Sequence, residues 1–266
     1  MTVEHQPEPV PDTSLVDRFR LDGTVAVVTG AGRGIGRGIA IGLADAGATV
    51  VVTSRSENEL ADTAAVIESR GGRAAVHPGD ITDEATIAAL VETATGDHGR
   101  LDIWVTNAGG SEHQGNFAFA DFPLWHWDEQ IALNLRPHFI AAKACMEVMQ
   151  PGSSIIGISS IASLRAAVNF AAYGAAKAGM NNLTQTLAIE LAPRGIRANA
   201  VLPGNVPTRA TTTIGGTAPE DIPKLASRIP LGRLGTPEDI AAAVLWLVSP
   251  AGSWVTGQSI VVAGGQ

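Results

Sequence analysis

Cysteine and tyrosine are almost absent from the 266-residue chain, which contains one of each, Cys145 and Tyr173. A single cysteine excludes a disulfide within the chain, which is typical of a protein from a reducing compartment. A single tyrosine means that a reaction requiring a phenol of this chain has only Tyr173 to supply it.

Positive charge is also scarce, since 18 Lys and Arg residues stand against 26 Asp and Glu residues and the formal net charge is −8. Nucleic acid is a polyanion, so a chain of this charge would need a local basic patch to bind it, and no cluster of Lys or Arg supplies one. The six histidines show no metal-ligand spacing. We therefore expect neither a nucleic-acid partner nor a metal site.

Long apolar runs are missing as well. No segment has the uncharged apolar length that spans a bilayer, and the first twenty residues lack the apolar run of a secretory signal. Pro7, Pro9 and Pro11 lie among polar residues, so residues 1–20 are expected to form a mobile N-terminal extension. The sequence predicts a soluble cytoplasmic protein with no membrane partner and a single domain over residues 21–266.

The chain does contain a regular alternation of β-rich apolar runs and Ala-rich helical runs. The apolar runs are continuous, as in strands that helices cover on both sheet faces. Alternating strands and helices imply parallel strands with right-handed crossovers. The sequence predicts an α/β fold, a doubly wound parallel (Rossmann) sheet of about seven strands with helices on both faces. The predicted strands cover residues 24–29, 49–54, 74–77, 103–107, 154–159, 197–202 and 259–262. The predicted helices cover residues 34–47, 57–70, 82–98, 127–149, 172–191 and 237–247.

Two long connections follow predicted strands, at residues 109–125 and 203–231. Loops at the carboxyl ends of parallel strands are where ligands bind. Residues 208–228 are rich in Thr, Gly and Ala, and we interpret them as a lid. Candidates for the substrate wall are Gly110, Ser111, Ile161, Ala162, Asn169, Phe170 and Asn205.

A glycine-rich turn lies between the first predicted strand and the first predicted helix. It comprises Gly30, Gly32, Arg33, Gly34, Ile35 and Gly36. A strand, a glycine turn and a helix start together present bare N–H groups and a positive helix end to a pyrophosphate. Glycine is required because a Cβ would block the close approach. The turn predicts dinucleotide binding, although alone it could be a tight turn without a ligand.

The end of the second predicted strand indicates which dinucleotide is bound. Folds that choose NAD place an Asp or Glu there to bind the ribose 2′-hydroxyl, whereas this chain has Ser54 and Arg55. Arg can bind a 2′-phosphate through paired charge-assisted hydrogen bonds, and Arg33 could reach the same group. We therefore expect NADP(H) to be preferred, with NAD(H) possible if both arginines are solvated surface charges.

Further motifs follow in order along the chain. They are Asp80-Ile81, Asn107-Ala108-Gly109, Asn134, Ser160 thirteen residues before Tyr173, Tyr173 with Lys177 (YxxxK), and Pro203-Gly204 with Thr208 (PGxxxT). Together with the TGxxxGxG turn at residues 29–36, this set resembles the short-chain dehydrogenase/reductase family over about residues 21–265. The resemblance implies a nicotinamide-dependent oxidoreductase that interconverts a secondary alcohol and a carbonyl compound.

The resemblance also implies roles for particular residues. Tyr173 is the acid/base, Lys177 holds the nicotinamide ribose, and Asn134 helps to order a water-linked proton relay with Ser160 as the fourth catalytic residue. Besides the glycine turn, Ser54 and Arg55, the implied dinucleotide site contains Tyr173, Lys177, Asp80, Ile81, Asn107, Ala108, Gly109, Pro203, Gly204, Val206 and Thr208. A homotetramer through helices 127–149 and 172–191 is implied as well.

Part of this chemistry follows from the residues alone. Tyr173 and Lys177 are four apart on a predicted helix, so they share a face. A free tyrosine has a pKa of about 10, too high for an efficient base near neutrality. A nearby ammonium favours the phenolate, so we expect Lys177 to lower the pKa of Tyr173. Ser160 can donate a hydrogen bond to the substrate oxygen, with Ser159 as an adjacent competitor.

Alternatives remain at this point. A tyrosine and a lysine four apart are by themselves more often a surface pair on a helix. A dinucleotide-binding redox sensor without catalysis would fit the glycine turn, although such proteins often lose the tyrosine or the lysine. A structural scaffold would need none of these polar positions. For the enzyme, the substrate is expected to be a moderately hydrophobic ketone or alcohol, with Glu147 and Glu190 disfavouring a carrier protein that presents it.

Departures from the family pattern are few. Thr106 stands where an asparagine commonly precedes Asn-Ala-Gly, and a threonine hydroxyl can still form local hydrogen bonds. Gly110 replaces a bulkier apolar residue and is expected to widen the pocket, and Ala263 replaces an aspartate near the C-terminus.

Overall fold

A computed structural model describes residues 14–111, 117–207 and 221–266 of the chain. Its centre is a single sheet of seven parallel strands in the order β3-β2-β1-β4-β5-β6-β7. The strands are β1 (Val25–Thr29), β2 (Thr49–Thr53), β3 (Arg73–Val76), β4 (Ile103–Thr106), β5 (Ser154–Ile158), β6 (Arg197–Pro203) and β7 (Ser259–Val262). This confirms the predicted doubly wound fold, with each predicted strand present within one or two residues at its ends.

The central strands are buried on both faces, which explains their continuous apolar sequences. Successive side chains of a strand point to opposite faces. In β1, Val28 therefore belongs to one hydrophobic cluster and Val27 to another. Val52 and Val51 divide between the same two clusters in β2. Two packed layers of helices, one on each face, require this pattern.

Eight helices accompany the strands in the described residues. They are α1 (Gly34–Asp45), α2 (Glu57–Ser69), α3 (Glu84–Glu92), α4 (Leu124–Asn134), α5 (Arg136–Val148), α6 (Ala171–Leu191), α7 (Ile222–Ala226) and α8 (Pro237–Val248). Helices α1 and α8 pack on the first cluster, and α5 and α6 pack on the second. None of these helices has both the length and the apolar character needed to cross a membrane.

The prediction of one helix over residues 127–149 is wrong, because the structure has two. The chain breaks at Leu135, whose φ is −126° and ψ is −52°, and α5 begins with Pro137 in its first turn. Proline has no N–H to donate to the carbonyl of Leu133, four residues earlier, so an unbroken helix is disfavoured there. The break places Asn134 at the C-terminal end of α4.

Smaller differences occur elsewhere. The helix predicted over residues 82–98 begins later because Asp83 accepts a hydrogen bond from Ala85 N (3.0 Å) as the N-cap, and it ends in a π-helical turn, Thr93–Asp97. The proposed lid, 208–228, contains α7, and residues 208–220 lie outside the described part of the chain.

Residues just before the predicted domain boundary contact the folded domain. Arg18 lies in a short 3₁₀ turn and donates hydrogen bonds to Pro250 O (2.8 Å) and Ser253 Oγ (3.1 Å). Leu21 is buried in the first hydrophobic cluster. The boundary at residue 21 stays a prediction, and residues 1–13 are outside the described part.

Candidate active site at the carboxyl edge of the sheet

The glycine turn brings main chain against main chain at the end of β1. Gly30 has a φ of +65°, and a Cβ added there would lie 2.8 Å from Asn107 Nδ2 and 2.9 Å from Ala108 Cα. A Cβ on Gly36 would overlap the carbonyl oxygen of Gly30. Both positions therefore require glycine, because real Cβ atoms do not approach backbone so closely.

The N-terminus of α1 differs from those of the two helices that follow it. Ser56 and Asp83 cap α2 and α3 through side-chain oxygens, whereas the N-cap of α1, Arg33, makes no side-chain cap hydrogen bond. The first N–H groups of a helix need acceptors. Those of α1 begin at Gly34, whose φ is +55°, and they suit a pyrophosphate.

Thr29 joins the glycine turn to the loop after β4. Its Oγ1 accepts hydrogen bonds from Asn107 N and Ala108 N, both at 2.9 Å, and Asn107 Nδ2 donates to Thr29 O at 2.8 Å. Thr29 is completely buried. Thr29 therefore fixes the position of the loop after β4. From the sequence it was recognised only as part of the turn motif, although a threonine at the end of an apolar strand indicated a side chain that binds neighbouring backbone.

The predicted 2′-phosphate group lies at the end of β2. Arg55 is exposed and lies close enough to Asp80 to help lower the pKa of that carboxyl, after the larger contribution of the hydrogen bond from Thr82 N. Arg33 forms an ion pair with Glu59, 3.6 Å from Nη1 to Oε1. Ser54 Oγ lies 3.0 Å from the position of a Cβ on Gly32. Ile35 packs against the first hydrophobic cluster, and Ile81 is buried in the second.

Ser159 and Ser160 follow β5 and have different roles. Ser159 is buried, and its Oγ donates to Lys177 O at 3.1 Å. Ser160 is partly exposed, caps a 3₁₀ turn by accepting from Ala162 N at 3.1 Å, and forms a side-chain hydrogen bond with Tyr173. Of the two serines, Ser160 is therefore the one directed to the phenol.

The pKa of Tyr173 changes in the direction opposite to our expectation. Burial raises the pKa of this phenol, and the hydrogen bond with Ser160 lowers it only in part. The Nζ of Lys177 lies 5.7 Å from the centre of the tyrosine ring, and it donates to the carbonyl of Ile158 at 2.9 Å. Desolvation of the phenolate outweighs the hydrogen bond with Ser160 in this arrangement.

Lys177 is itself a buried charge. Its side chain is 3% exposed, and burial lowers the pKa of the ammonium to about 8. Desolvation disfavours the charged form of a lysine, while the bond to Ile158 O satisfies one of its three donors. A lysine in this range remains mainly protonated at neutral pH.

Asn134 clamps the loop after β4. Its Oδ1 accepts from Gly110 N at 2.9 Å, and its Nδ2 donates to Gly110 O at 3.2 Å and to Gln130 Oε1 at 3.0 Å. Gln130 and Asn134 are both 1% exposed, and His126, one turn earlier on α4, is fully buried. His126, Gln130 and Asn134 thus form a buried polar row at four-residue spacing. This spacing is present in the sequence, but Gln130 was not among the predicted site residues.

The remaining predicted residues lie after β6. Pro203 is the last residue of that strand, and Val206 is 5% exposed. A Cβ on Gly204 would lie 2.6 Å from Gln266 Oε1, which also accepts from Asn205 N at 3.1 Å. Thr208, predicted for the same turn, lies outside the described residues.

One segment connects the glycine turn with Asn134 and Lys177. Asn107 and Ala108 contact the glycine turn, as shown above. A Cβ added to Gly109 would lie 2.7 Å from Asn134 Oδ1 and 3.6 Å from Lys177 Nζ. The structure thus brings the predicted nucleotide turn and the predicted catalytic residues together at the carboxyl edge of the sheet. Ser54, Arg55 and Asp80 lie further along the same edge, after the ends of β2 and β3.

A largely apolar cavity of about 700 Å³ lies between the loop after β5 and the segment before α4. Its lining includes three of the predicted wall residues, Ala162, Asn169 and Phe170. Phe170 also packs edge-on against the ring of Tyr173, with centroids 5.9 Å apart. Asn169 has a φ of +68° directly before α6, a left-handed conformation that asparagine tolerates.

Known proteins with similar sequences cover most of this chain. The sequence profile of the family described as Enoyl-(Acyl carrier protein) reductase matches residues 30–266. The chain is 38% identical over 251 residues to the 7alpha-hydroxysteroid dehydrogenase of Escherichia coli K12, covering 94% of this chain and 96% of that one. It is 36% identical to the 3-oxoacyl-[acyl-carrier-protein] reductase FabG of Thermotoga maritima, covering 93% and 99% of the two chains.

Solved structures of similar proteins have the same fold as this chain. A 7 alpha-hydroxysteroid dehydrogenase complexed with NADH and 7-oxo glycochenodeoxycholic acid superposes with a TM-score of 0.87 at 36% identity, covering 94% of this chain and 96% of that one. A short-chain dehydrogenase/reductase from Serratia marcescens BCRC 10948 superposes with a TM-score of 0.85 at 33% identity, covering 92% and 98%. The chain belongs to the short-chain dehydrogenase/reductase family, as an oxidoreductase that acts on CH–OH groups with a nicotinamide dinucleotide.

Proposed function

We propose that this protein interconverts a secondary alcohol and a ketone with NADP(H), using Tyr173 as the general acid/base. The observation that carries the proposal is the position of residues 107–109. This segment contacts the glycine turn at Gly30 and lies beside Asn134 and Lys177. A dinucleotide whose phosphates bind at the N-terminus of α1 would extend along this segment toward Tyr173.

The proton chemistry follows from the environment of the phenol. A nicotinamide dinucleotide held by the glycine turn and Lys177 would supply the hydride for the carbonyl carbon, and the carbonyl oxygen would then need a proton. Burial keeps Tyr173 protonated, so its hydroxyl can donate that proton as the C–O bond becomes an alcohol. Ser160, which is hydrogen-bonded to Tyr173, can donate to the same oxygen and stabilise its developing charge. The ammonium of Lys177 stabilises the phenolate that remains.

In this proposal Asn134 acts through position. All hydrogen bonds that its side chain makes in the described structure go to Gly110 and Gln130. The amide therefore fixes the loop beside Lys177, and the role that the family resemblance implies for Asn134, helping to order a water-linked proton relay, stays part of the proposal.

The preference for NADP(H) is supported by the end of β2. Ser54 and Arg55 stand there in place of a carboxylate, and Arg33 lies in the glycine turn. A 2′-phosphate would be bound by these guanidinium groups. The alternative is NAD(H), for which two observations speak. Arg33 is already paired with Glu59, and a solved relative contains NADH.

The substrate proposed is a moderately hydrophobic alicyclic alcohol or ketone. Relatives include hydroxysteroid dehydrogenases and the cis-4-hydroxycyclohexanecarboxylate dehydrogenase of Sinomonas cyclohexanicum, 38% identical over 244 residues. The apolar cavity beside Phe170 suits an apolar ring system. An acyl thioester on a carrier protein is the competing substrate class, since a 3-oxoacyl-[acyl-carrier-protein] reductase is also a relative.

The test is turnover across a panel of ketones, secondary alcohols and 3-oxoacyl thioesters, each measured with NADP(H) and with NAD(H). Tyr173→Phe should lower kcat on the best substrate about 10³-fold, because general acid–base catalysis contributes on that order. Cofactor affinity, measured by fluorescence titration, should change little. The matched control is Thr95→Val, which removes a hydroxyl bonded to Val91 O in the turn after α3. Full activity of Tyr173→Phe, or cofactor binding without turnover anywhere, would overturn the proposal.

We also propose a homotetramer assembled through α4–α5, in the region predicted as 127–149, and α6. Phe139 on α5 is 54% exposed and Ile189 on α6 is 77% exposed. Large apolar side chains on adjacent helices are typical of subunit interfaces. Sedimentation velocity should show a single species of four chains, and a monomer at micromolar concentration would contradict the assembly.

A further inference from the structure

His138 is a completely buried histidine that the proposed chemistry does not use. It lies on α5, one residue after Pro137, and its ring nitrogens contact two threonine hydroxyls. Nδ1 lies 3.0 Å from Thr106 Oγ1 on β4, and Nε2 lies 3.2 Å from Thr184 Oγ1 on α6. One imidazole therefore joins a strand and two helices.

The directions of these hydrogen bonds can be assigned from their neighbours. Thr184 donates its only hydroxyl hydrogen to Met180 O at 2.8 Å, so its oxygen accepts from Nε2–H of His138. Nδ1 must then accept from the hydroxyl of Thr106. The oxygen of Thr106 accepts in turn from Trp104 Nε1 at 3.0 Å, a group that can only donate. The chain of hydrogen bonds is complete only with a neutral imidazole protonated on Nε2.

The surroundings of His138 favour this neutral state. Burial, together with the charge of Lys177, lowers the pKa of the imidazole to about 4. The ring also needs the space left by Gly157 on β5, since a Cβ there would lie 3.2 Å from His138 Cε1. Met180 Sδ would lie 3.0 Å from the same Cβ. The imidazole is thus held by hydrogen bonds at both nitrogens and by packing at the edge between them.

Each element that His138 joins carries a part of the site. Strand β4 continues from Thr106 into the Asn107–Gly109 segment, and α5 follows directly from Asn134 at the helix break. Helix α6 carries Lys177 one turn before Met180. A displacement of α5 or α6 relative to β4 would therefore change the distance between Asn134, Gly109 and Lys177.

We propose that His138 is a positioning residue, which sets the relation of Asn134 and Lys177 to the loop after β4 through its hydrogen bonds to Thr106 and Thr184. The catalytic part of this inference rests on the proposed function. Its structural part does not, because the Asn134–Gly110 pair can be observed without a substrate.

The experiment compares His138→Phe with two other variants. Phenylalanine keeps the ring and removes both hydrogen bonds, leaving the hydroxyl of Thr106 without its acceptor. The double variant Thr106→Val/His138→Phe removes the whole Thr106–His138 pair, and it leaves Trp104 Nε1 without its acceptor in place of the Thr106 hydroxyl, so its Tm should match that of the single variant. Ile67→Ala, in the buried end of α2, is the control for a lowered Tm without any change near the site.

We expect His138→Phe to lower kcat about tenfold with little change in cofactor affinity, and to accelerate amide hydrogen exchange at Gly110 at least fivefold. The double variant should match the single variant in Tm, in kcat and in the loss of protection at Gly110. If the double variant recovers kcat and the protection of Gly110, or if His138→Phe matches Ile67→Ala in kcat and exchange, the role is structural only and the proposal is overturned.

The exchange measurement separates this proposal from the proposed function. If the wild-type protein turns over no substrate of the panel, the proposed function fails. The protection of Gly110 in His138→Phe still decides whether His138 positions Asn134. An unchanged exchange rate would then refute the positioning role.

Discussion

The glycine turn and the proposed catalytic region around Asn134, Tyr173 and Lys177 share one edge of the sheet but are built differently. At the turn, Gly30 and Gly36 allow backbone to pack on backbone. The charged neighbours Arg33 and Glu59 keep 39% and 30% of their side chains exposed, so solvent and salt screen their interaction. This region depends on the shape of the main chain.

The catalytic region depends instead on desolvated side chains. Lys177, Asn134 and His138 are almost completely buried, and each is bonded to specific protein atoms. Burial lowers the pKa of Lys177 to about 8, and burial together with the charge of Lys177 lowers the pKa of His138 to about 4. We therefore expect substitutions to act through steric overlap at the glycine turn, and through charge and hydrogen bonding around Tyr173.

The largest expected effect comes from a single methyl group in the turn. Gly36→Ala would place a Cβ on the carbonyl oxygen of Gly30, so the backbone must shift where the pyrophosphate would bind. We expect cofactor affinity to fall at least about 100-fold, or about 2.7 kcal/mol, in a fluorescence titration. Gly96→Ala is the matched control, because nothing lies within 4 Å of its Cβ position. Equal affinities of the two variants would contradict the steric account.

An intermediate effect should appear as pH dependence of stability in the catalytic region. In the unfolded chain the imidazole of His138 protonates near its ordinary pKa of 6.5, whereas in the folded protein it stays neutral down to about 4. Unfolding therefore takes up a proton between these values, and the free energy of unfolding falls as pH drops from about 6.5 to 4. Linkage gives an upper limit of about 3 kcal/mol for this loss.

His138→Phe lacks that titration, which makes it the comparison for the measurement. At pH 7 the wild type should be the more stable protein, because its hydrogen bonds are intact. The difference in free energy of unfolding, measured by urea denaturation, should shrink toward pH 4. A difference that stays constant over this range would show that His138 does not remain neutral in the folded state.

The smallest expected effect is at the exposed charges. Glu59→Gln removes the carboxylate that is paired with Arg33 at 3.6 Å, and with it a negative charge that would repel a 2′-phosphate. The ratio of kcat/KM for NADPH to that for NADH should rise about threefold, in the range of exposed ion pairs. Glu57→Gln, in the same turn of α2, serves as the control. An unchanged ratio would mean that Glu59 does not oppose the phosphate.

The same contrast explains what could be predicted from the sequence. The strands were predictable because burial on both faces produces continuous apolar runs, as in β1 and β2. Pro137 indicated the break between α4 and α5, but the apolar periodicity on both sides of it led to the prediction of one continuous helix. The parallel arrangement of the strands and the glycine turn follow from local patterns and general rules of chain connection.

The buried hydrogen bonds of the proposed catalytic region could not be predicted from the sequence, for a physical reason. Thr106, His138 and Thr184 are far apart in the chain, and each alone has the sequence context of an ordinary strand or helix residue. Only the fold brings them into one chain of hydrogen bonds. The direction of the pKa shift of Tyr173 was mispredicted because spacing reveals a nearby lysine but does not reveal how deeply the phenol is buried.

Gly109 has a consequence for attempts to redesign this protein. With a φ of +140° and the polar atoms of Asn134 and Lys177 facing the position of its missing Cβ, it leaves no room for a side chain between the glycine turn and the proposed catalytic residues. Libraries that seek new substrates should therefore spare the loop after β4 and diversify the apolar wall around Phe170. The reaction machinery and the choice of substrate would then be separable for the engineer.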